Sequence, residues 1–217
     1  MKRPIITAIC IFAALAAWSC DSDKTTPSAP VVPDPFPSLT QDDVLHNLEL
    51  ACNERNFAEF EKLLDENFVF YFSRDDFNLG VVPFETWGRL DEVNTNRRLF
   101  DATNPDPNRV ISIFLELDFI SGDWEPEPPD SVHAGETWYT KVATYRCVIK
   151  TADSWEYRAI DLKALFKIRK DDGGHWRIIE WYDDLDSRRQ LGLAPVIEET
   201  TWGATKAQYY ARPKNDV

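Results

Sequence analysis

The chain has 217 residues, in which 37 Asp and Glu stand against 24 Lys and Arg to give a formal net charge of −13. A surface this acidic offers no basic face to a phosphate backbone, which argues against nucleic acid as a partner, and it would be repelled by an anionic lipid surface. The length leaves room for one folded domain with a full core.

Lys2 and Arg3 precede an uncharged apolar run over residues 5–17, the layout of a secretory signal. A spanning helix needs about 20 apolar residues, and this run meets Ser19, Cys20 and Asp21 first, so a membrane span is not expected. Ala17-Trp18-Ser19-Cys20 resembles a lipobox, with Ala17 where Leu is usual and a bulky Trp18. That resemblance implies cleavage after residue 19 and lipidation of Cys20, which would tether the rest to a membrane of the bacterial envelope, inner or outer, outside the cytoplasm. The alternative is plain secretion with cleavage near Ala17. Loss of residues 1–19 removes Lys2 and Arg3 and no acid, taking the formal charge from −13 to −15. Residues 20–38 carry Pro27, Pro30, Pro33, Pro35 and Pro37 with little that can pack, and read as an extended spacer.

Thr40 followed by Asp42 and Asp43 caps a helix whose Val44, Leu45, Leu48, Ala51 and Cys52 fall on one stripe. Asn56 with Glu59 starts a second helix that turns Phe57, Phe60, Leu63 and Leu64 to the core. Phe68-Val69-Phe70-Tyr71-Phe72 is strand, residues 73–78 a polar turn, and Pro83 opens a helical stretch through Trp87, Leu90 and Phe100. From Val110 the period changes to two, with Ile111, Ile113, Leu115, Leu117 and Phe119 facing one way. A Pro-rich insert over residues 122–135 leads to a strand over 138–149. Residues 157–169 and 175–183 then form a hairpin around Asp171-Asp172-Gly173-Gly174, with Ile160, Leu162, Ala164, Phe166 and Ile168 predicted inward.

This order, closing on Trp176-Arg177-Ile178-Ile179-Glu180-Trp181, resembles the NTF2-like (SnoaL-like) domain over residues 39–184, with further likeness in Asn56-Phe57-Ala58-Glu59-Phe60. The resemblance implies an α+β cone, a strongly curved and mostly antiparallel sheet wrapped over about three N-terminal helices. Residues 185–217 are left as a C-terminal tail, in which Thr201-Trp202-Gly203-Ala204-Thr205-Lys206 resembles the ending of uncharacterised lipoproteins. Of the cysteines, only Cys52 and Cys147 remain in the folded part. An oxidising compartment permits their disulfide, while their apolar neighbours suit two separate buried thiols. Neither a zinc site nor a calcium loop is legible.

NTF2-like enzymes, as the resemblance implies, transfer protons or hydrolyse inside the cone with an Asp, a His–Asp pair or an Asp–Arg–Asp set beside a Tyr. Such a site needs ionisable groups on the concave face. His46 lies opposite the helical stripe, His133 in the insert and His175 after the glycines, so all three are predicted exposed. Glu116, Asp118 and Asp161 alternate with inward residues and are predicted outside. On the last strand either Glu180 and Tyr182 or Trp181 and Asp183 turn inward, and alternation does not choose. The candidate pocket groups are Tyr71, Tyr145, Arg146, Glu180 and Asp183. Among the 8 Trp, partial exposure is expected for Trp124, Trp138, Trp155 and Trp202, while Phe114, Leu165 and Trp181 are candidates for an outer face that pairs with a second copy. The expectation is a tethered, non-catalytic module, without cofactor or metal, whose cone holds a small apolar ligand or is filled. The alternative is an envelope isomerase, dehydratase or hydrolase for a small hydrophobic substrate, using Glu180 or Asp183 with a Tyr.

Overall fold

Helix α1 (Gln41–Glu54) begins where the sequence predicts, with the Thr40 side chain accepting from the Asp43 N–H and Asp43 accepting from the Thr40 N–H. Its five predicted core positions are fully buried. The computed structural model of the chain describes residues 36, 40–119, 122–127, 135–183, 198–199 and 201–211. Cys20, the signal, nearly all of the spacer and His133 lie outside the described residues.

Helix α2 (Phe57–Leu63), capped by the Asn56 side chain, runs straight into strand β1 (Leu64–Tyr71). Where a polar turn was expected there is a short helix, α3 (Arg74–Asn78). The stretch after Pro83 is a short strand, β2 (Thr86–Gly88), followed by helix α4 (Arg89–Phe100); Trp87 therefore sits on a strand, and Leu90 is exposed. The remaining strands are β3 (Val110–Phe119), β4 (Glu125–Pro126), β5 (Tyr139–Thr151), β6 (Glu156–Lys170), β7 (Trp176–Tyr182) and β8 (Glu198–Glu199). A fifth helix, α5 (Trp202–Ala211), ends the described part of the chain.

The strands join in one sheet of order β2-β1-β7-β6-β5-β3, with β4 on β5 and β8 on β6. Pairing is antiparallel except for β1 with β7 and β6 with β8. The curved, unclosed sheet and the helices beside it make an α+β cone. Its edge at β3 is covered by α1: the Asn53 side chain donates to the Leu115 C=O (2.9 Å) and accepts from the Leu115 N–H (2.7 Å), while Glu49 accepts from the Leu117 N–H (3.2 Å). An edge strand whose backbone is satisfied this way no longer offers itself for pairing.

Four register shifts interrupt the sheet, one of them between β1 and β7 across Leu64 and Val69, and the other three reset which residues face the core. One lies in β3 between Val110 and Ser112, so Val110 is buried and Ile111, expected inside, is 51% exposed. The second lies in β6 opposite Tyr145 and Cys147, where Asp161 takes a left-handed φ of 56°. Tyr157 and Ala159 are therefore buried upstream of the shift and Ala164, Phe166 and Ile168 downstream of it, while Ile160 turns outward. The third, in β7 opposite Lys167 and Ile168, puts both Ile178 and Trp181 in the core. Trp181 is thus no part of an outer face, and Phe119, at the end of β3, is exposed. Glu116, Asp118 and Asp161 are solvent-facing as expected.

The boundary drawn after residue 184 does not separate a tail from the domain, because residues 201–207 are buried with the cone residues.

The facing of β3 is testable by urea unfolding. Leu115→Ala should cost about 2–5 kcal/mol as a buried truncation, and Asp118→Asn less than about 0.5 kcal/mol as an exposed change. Comparable costs for the two would mean that the strand faces the other way.

Candidate functional site

The inner face of the sheet carries Phe70 from β1, Trp87 from β2, Tyr145 from β5 and Trp181 from β7, with Asp183 just beyond. Against them lie Glu92 and Asn96 of α4, one turn apart, and Trp202, Gly203 and Lys206 of α5. Two polar clusters result.

In the first, the Tyr145 hydroxyl donates to Asp183 Oδ1 (2.5 Å), the Gly203 N–H donates to Asp183 Oδ2 (2.6 Å), and the Trp202 N–H reaches the Tyr145 hydroxyl oxygen (3.3 Å). The Asp183 carboxylate therefore meets the first turn of α5, where unpaired backbone N–H groups favour an anion. Thr201 caps the same end: its Oγ1 accepts from the Ala204 N–H (2.8 Å) and donates to Asp76 Oδ2 (2.5 Å). Only glycine fits at 203, because a Cβ there would stand 2.7 Å from Asp183 Oδ2 and 2.8 Å from the Phe72 ring. Burial pushes the Asp183 carboxyl up to about 6, against the lowering effect of its Tyr145 and Gly203 hydrogen bonds and of nearby Lys206. Burial and then the Asp183 charge raise the Tyr145 hydroxyl well above an ordinary tyrosine.

In the second cluster, Lys206 Nζ lies 2.8 Å from each Glu92 oxygen, and both side chains are fully buried. Trp87 Nε1 donates to Glu92 Oε2 (2.8 Å) and Asn96 Nδ2 to Glu92 Oε1 (2.9 Å). The Lys206 ammonium sits 3.5 Å above the Phe70 ring centre, with Trp87, Trp181 and Trp202 at 5.0–5.4 Å. These are cation–π distances. Burial lowers the pKa of Lys206 and the Glu92 carboxylate opposes the shift.

Of the five residues nominated from the sequence, only Tyr145 and Asp183 meet inside the cone. Tyr71 and Glu180 are one residue out of phase with Phe70 and Trp181, and so lie on the opposite face. There the Tyr182 and Tyr71 hydroxyls donate to Glu180 (2.9 and 3.4 Å), Lys167 pairs with it at 3.0 Å, and the two Tyr rings stack at 4.1 Å. Arg146 belongs to neither cluster: it is exposed on the outer face of β5, paired in register with Glu116. His46 and His175 are exposed as expected. Trp138 and Trp202, predicted partly exposed, are buried, and Trp155 is half exposed.

Glu92, Asn96, Trp87 and Lys206 were missed. The polar pair Glu92 and Asn96 sits among Val93, Thr95 and Leu99 on the buried stripe of α4, so an apolar period alone does not mark that stripe in the sequence. Cys52 and Cys147 are buried and free, and burial raises both thiols. Among the described residues no group of three potential ligands is placed to hold a metal ion. A surface cavity of about 610 Å³ runs along the β6–β7 turn, but its charges face each other, with Arg169 on Asp65 (2.8 Å) and Arg177 on Asp171 (2.9 Å).

A carboxylate can act as a general base only where it meets a substrate proton. Both Asp183 oxygens are engaged, and the space before them is filled by Gly203. In this arrangement the cone interior binds α5.

No protein-family model and no curated protein matches the chain. Among solved structures it is similar to a conserved protein from Planctomyces limnophilus (10% identity, 65% of this chain and 89% of that one, TM-score 0.46). It is also similar to a ketosteroid isomerase-like protein from Erwinia carotovora atroseptica (11%, 65% and 89%, 0.41). A third likeness is to a hexachlorocyclohexane dehydrochlorinase from Novosphingobium barchaimii (12%, 65% and 80%, 0.38).

Two measurements test the Asp183 cluster. Gly203→Ala should destabilise the chain by about 1–3 kcal/mol, the usual cost of overpacking; an unchanged unfolding midpoint would show that α5 is not seated against Asp183. The folded Asp183 carboxyl, at about 6, holds its proton more tightly than an ordinary aspartate at 3.8. The folded state thus binds more protons than the unfolded state between these values, so this group's contribution to stability is largest below about pH 4 and declines as pH rises to about 6. The stability of the native chain minus that of Asp183→Asn should therefore fall by up to roughly 3 kcal/mol across that window and stay flat above it. A rise over the same window would place the folded pKa below that of the unfolded chain.

Proposed function

We propose that the chain is a membrane-tethered, non-catalytic module of the bacterial envelope. A lipid on Cys20 holds it, residues 20–38 space it from the surface, and the α+β domain acts by binding or assembly. What supports the reading is the filled interior: Trp202, Gly203 and Lys206 occupy the space a substrate would need and engage its inward-facing acids. Of the two states expected for the cone, an apolar ligand or simple filling, this packing favours filling. Assembly has exposed apolar groups to use in Ile111, Phe114 and Ile160, and a second copy is the candidate partner there.

One observation favours the other reading, an enzyme acting on a small hydrophobic substrate. Asp183, raised to about 6 and touching the Tyr145 hydroxyl, has the form of a proton-transfer pair. That chemistry would require α5 to leave the cone.

Two experiments test the proposal. Cys20→Ser should abolish metabolic labelling with a fatty acid, and label kept by the variant would sink the tether. Native mass spectrometry of the detergent-extracted protein should give the mass of the chain and its lipid, together with the subunit count. A stoichiometric small molecule retained in the cone would overturn the filled, non-catalytic reading.

A further inference from the structure

The polar groups that receive Lys206 belong to the cone and are fixed without it. Glu92 is oriented by Trp87 Nε1 and Asn96 Nδ2, and Asn96 is itself anchored by donating to the Glu92 backbone C=O (2.9 Å). Three of the four rings around the ammonium, Phe70, Trp87 and Trp181, also stand on strands of the sheet; only Trp202 arrives with the helix. A carboxylate held by two neutral donors inside an aromatic wall is complementary to a compact cation. Its two oxygens, both 2.8 Å from Lys206 Nζ, select one with N–H groups to donate.

We infer that the cone contains a preformed binding site for a primary alkylammonium group, which Lys206 of α5 occupies as a ligand built into the same chain. The ligand class is an unbranched alkyl chain ending in NH3+: an alkylamine, or the lysine of another helix. A quaternary ammonium would meet the rings but bring no N–H to the Glu92 oxygens beyond those of Trp87 and Asn96, and a neutral alcohol would leave the carboxylate charge buried and uncompensated. The inference rests on the filled interior of the proposed function and not on its envelope location or its lack of catalysis.

The test is chemical rescue in the full-length chain. Lys206→Ala removes the atoms of n-propylammonium and leaves Glu92 facing a void. The variant should melt below the native chain, and n-propylammonium chloride should raise its melting temperature saturably, by about 5 °C or more at high occupancy. Sodium chloride, n-propanol and tetramethylammonium chloride at matched concentration should not. The native chain, with its site taken, should not respond, and Lys206→Ala combined with Glu92→Gln should lose the response. If Lys206→Ala is recovered unfolded, refolding with the amine reads the same interaction, and no amine-dependent gain of folded signal overturns the inference. Equal rescue by n-propanol would also overturn it, reducing the site to an apolar void. Neither failure touches the native mass of the protein, so the filled-cone reading stands or falls separately.

Discussion

A lysine ammonium and a glutamate carboxylate that have both left water persist only if their mutual attraction and their remaining hydrogen bonds offset a desolvation penalty of several kcal/mol per ion. Lys206 and Glu92 meet that condition through four donor contacts to one carboxylate and four rings around one ammonium. The arrangement ties β1, β2, β7, α4 and α5 to a single point. An apolar pair of similar volume could stabilise the core as well, but would not fix the helix in one position. The ion pair does fix it: with Nζ on Glu92, Gly203 lies about one turn earlier on α5, where its N–H meets Asp183. The absence of a Cβ at 203 and the burial of Trp202 follow from that setting.

The sheet is shaped by a different constraint. Strict alternation would place Ile111 and Ile160 in the core, but one extra residue in β3, in β6 and in β7 reverses the facing of what lies beyond. Helices α1 and α2, the hairpin and most of the core were legible, because caps and apolar periods act locally. The shifts were not. Asp161 at φ 56° takes a left-handed conformation that Asp adopts more readily than most residues but that its presence in a strand pattern does not announce, and it stands at the register shift of β6.

The interior site was half legible for a related reason. Tyr145 lies on β5 and Asp183 directly follows β7, so the period of two in the sequence allowed an inward setting for each. Glu92 and Asn96 interrupt an apolar helical stripe, and Lys206 lies beyond residue 184 in what the strand pattern leaves as a tail. A buried charge is recognised in sequence only when its partner is recognised too, and these partners are 114 residues apart. The 201–206 segment was singled out for its likeness alone. The physical content of that segment is now visible: a cap at Thr201, a ring at Trp202, a close approach at Gly203 and an ammonium at Lys206.

A shifted pKa marks a reactive site only where the shifted group also meets space for a reactant. Asp183, Tyr145 and Lys206 all titrate away from their ordinary values, and burial is the first cause for each. Each is also saturated: Asp183 by a hydroxyl and a backbone N–H, Tyr145 by Asp183 and Trp202, Lys206 by Glu92. In the closed cone these shifts therefore reflect what it costs to keep the groups dry. If α5 moved away, water would return to the same groups and draw the values back toward ordinary ones, weakening the features that make Asp183 resemble a catalytic acid. An enzyme built on this cone would need a substrate that excludes water as well as α5 does and that also supplies a proton to transfer. The structure supplies the water exclusion through α5 itself, which is why occupancy of the cone, more than its inventory of acids and tyrosines, favours a binding module.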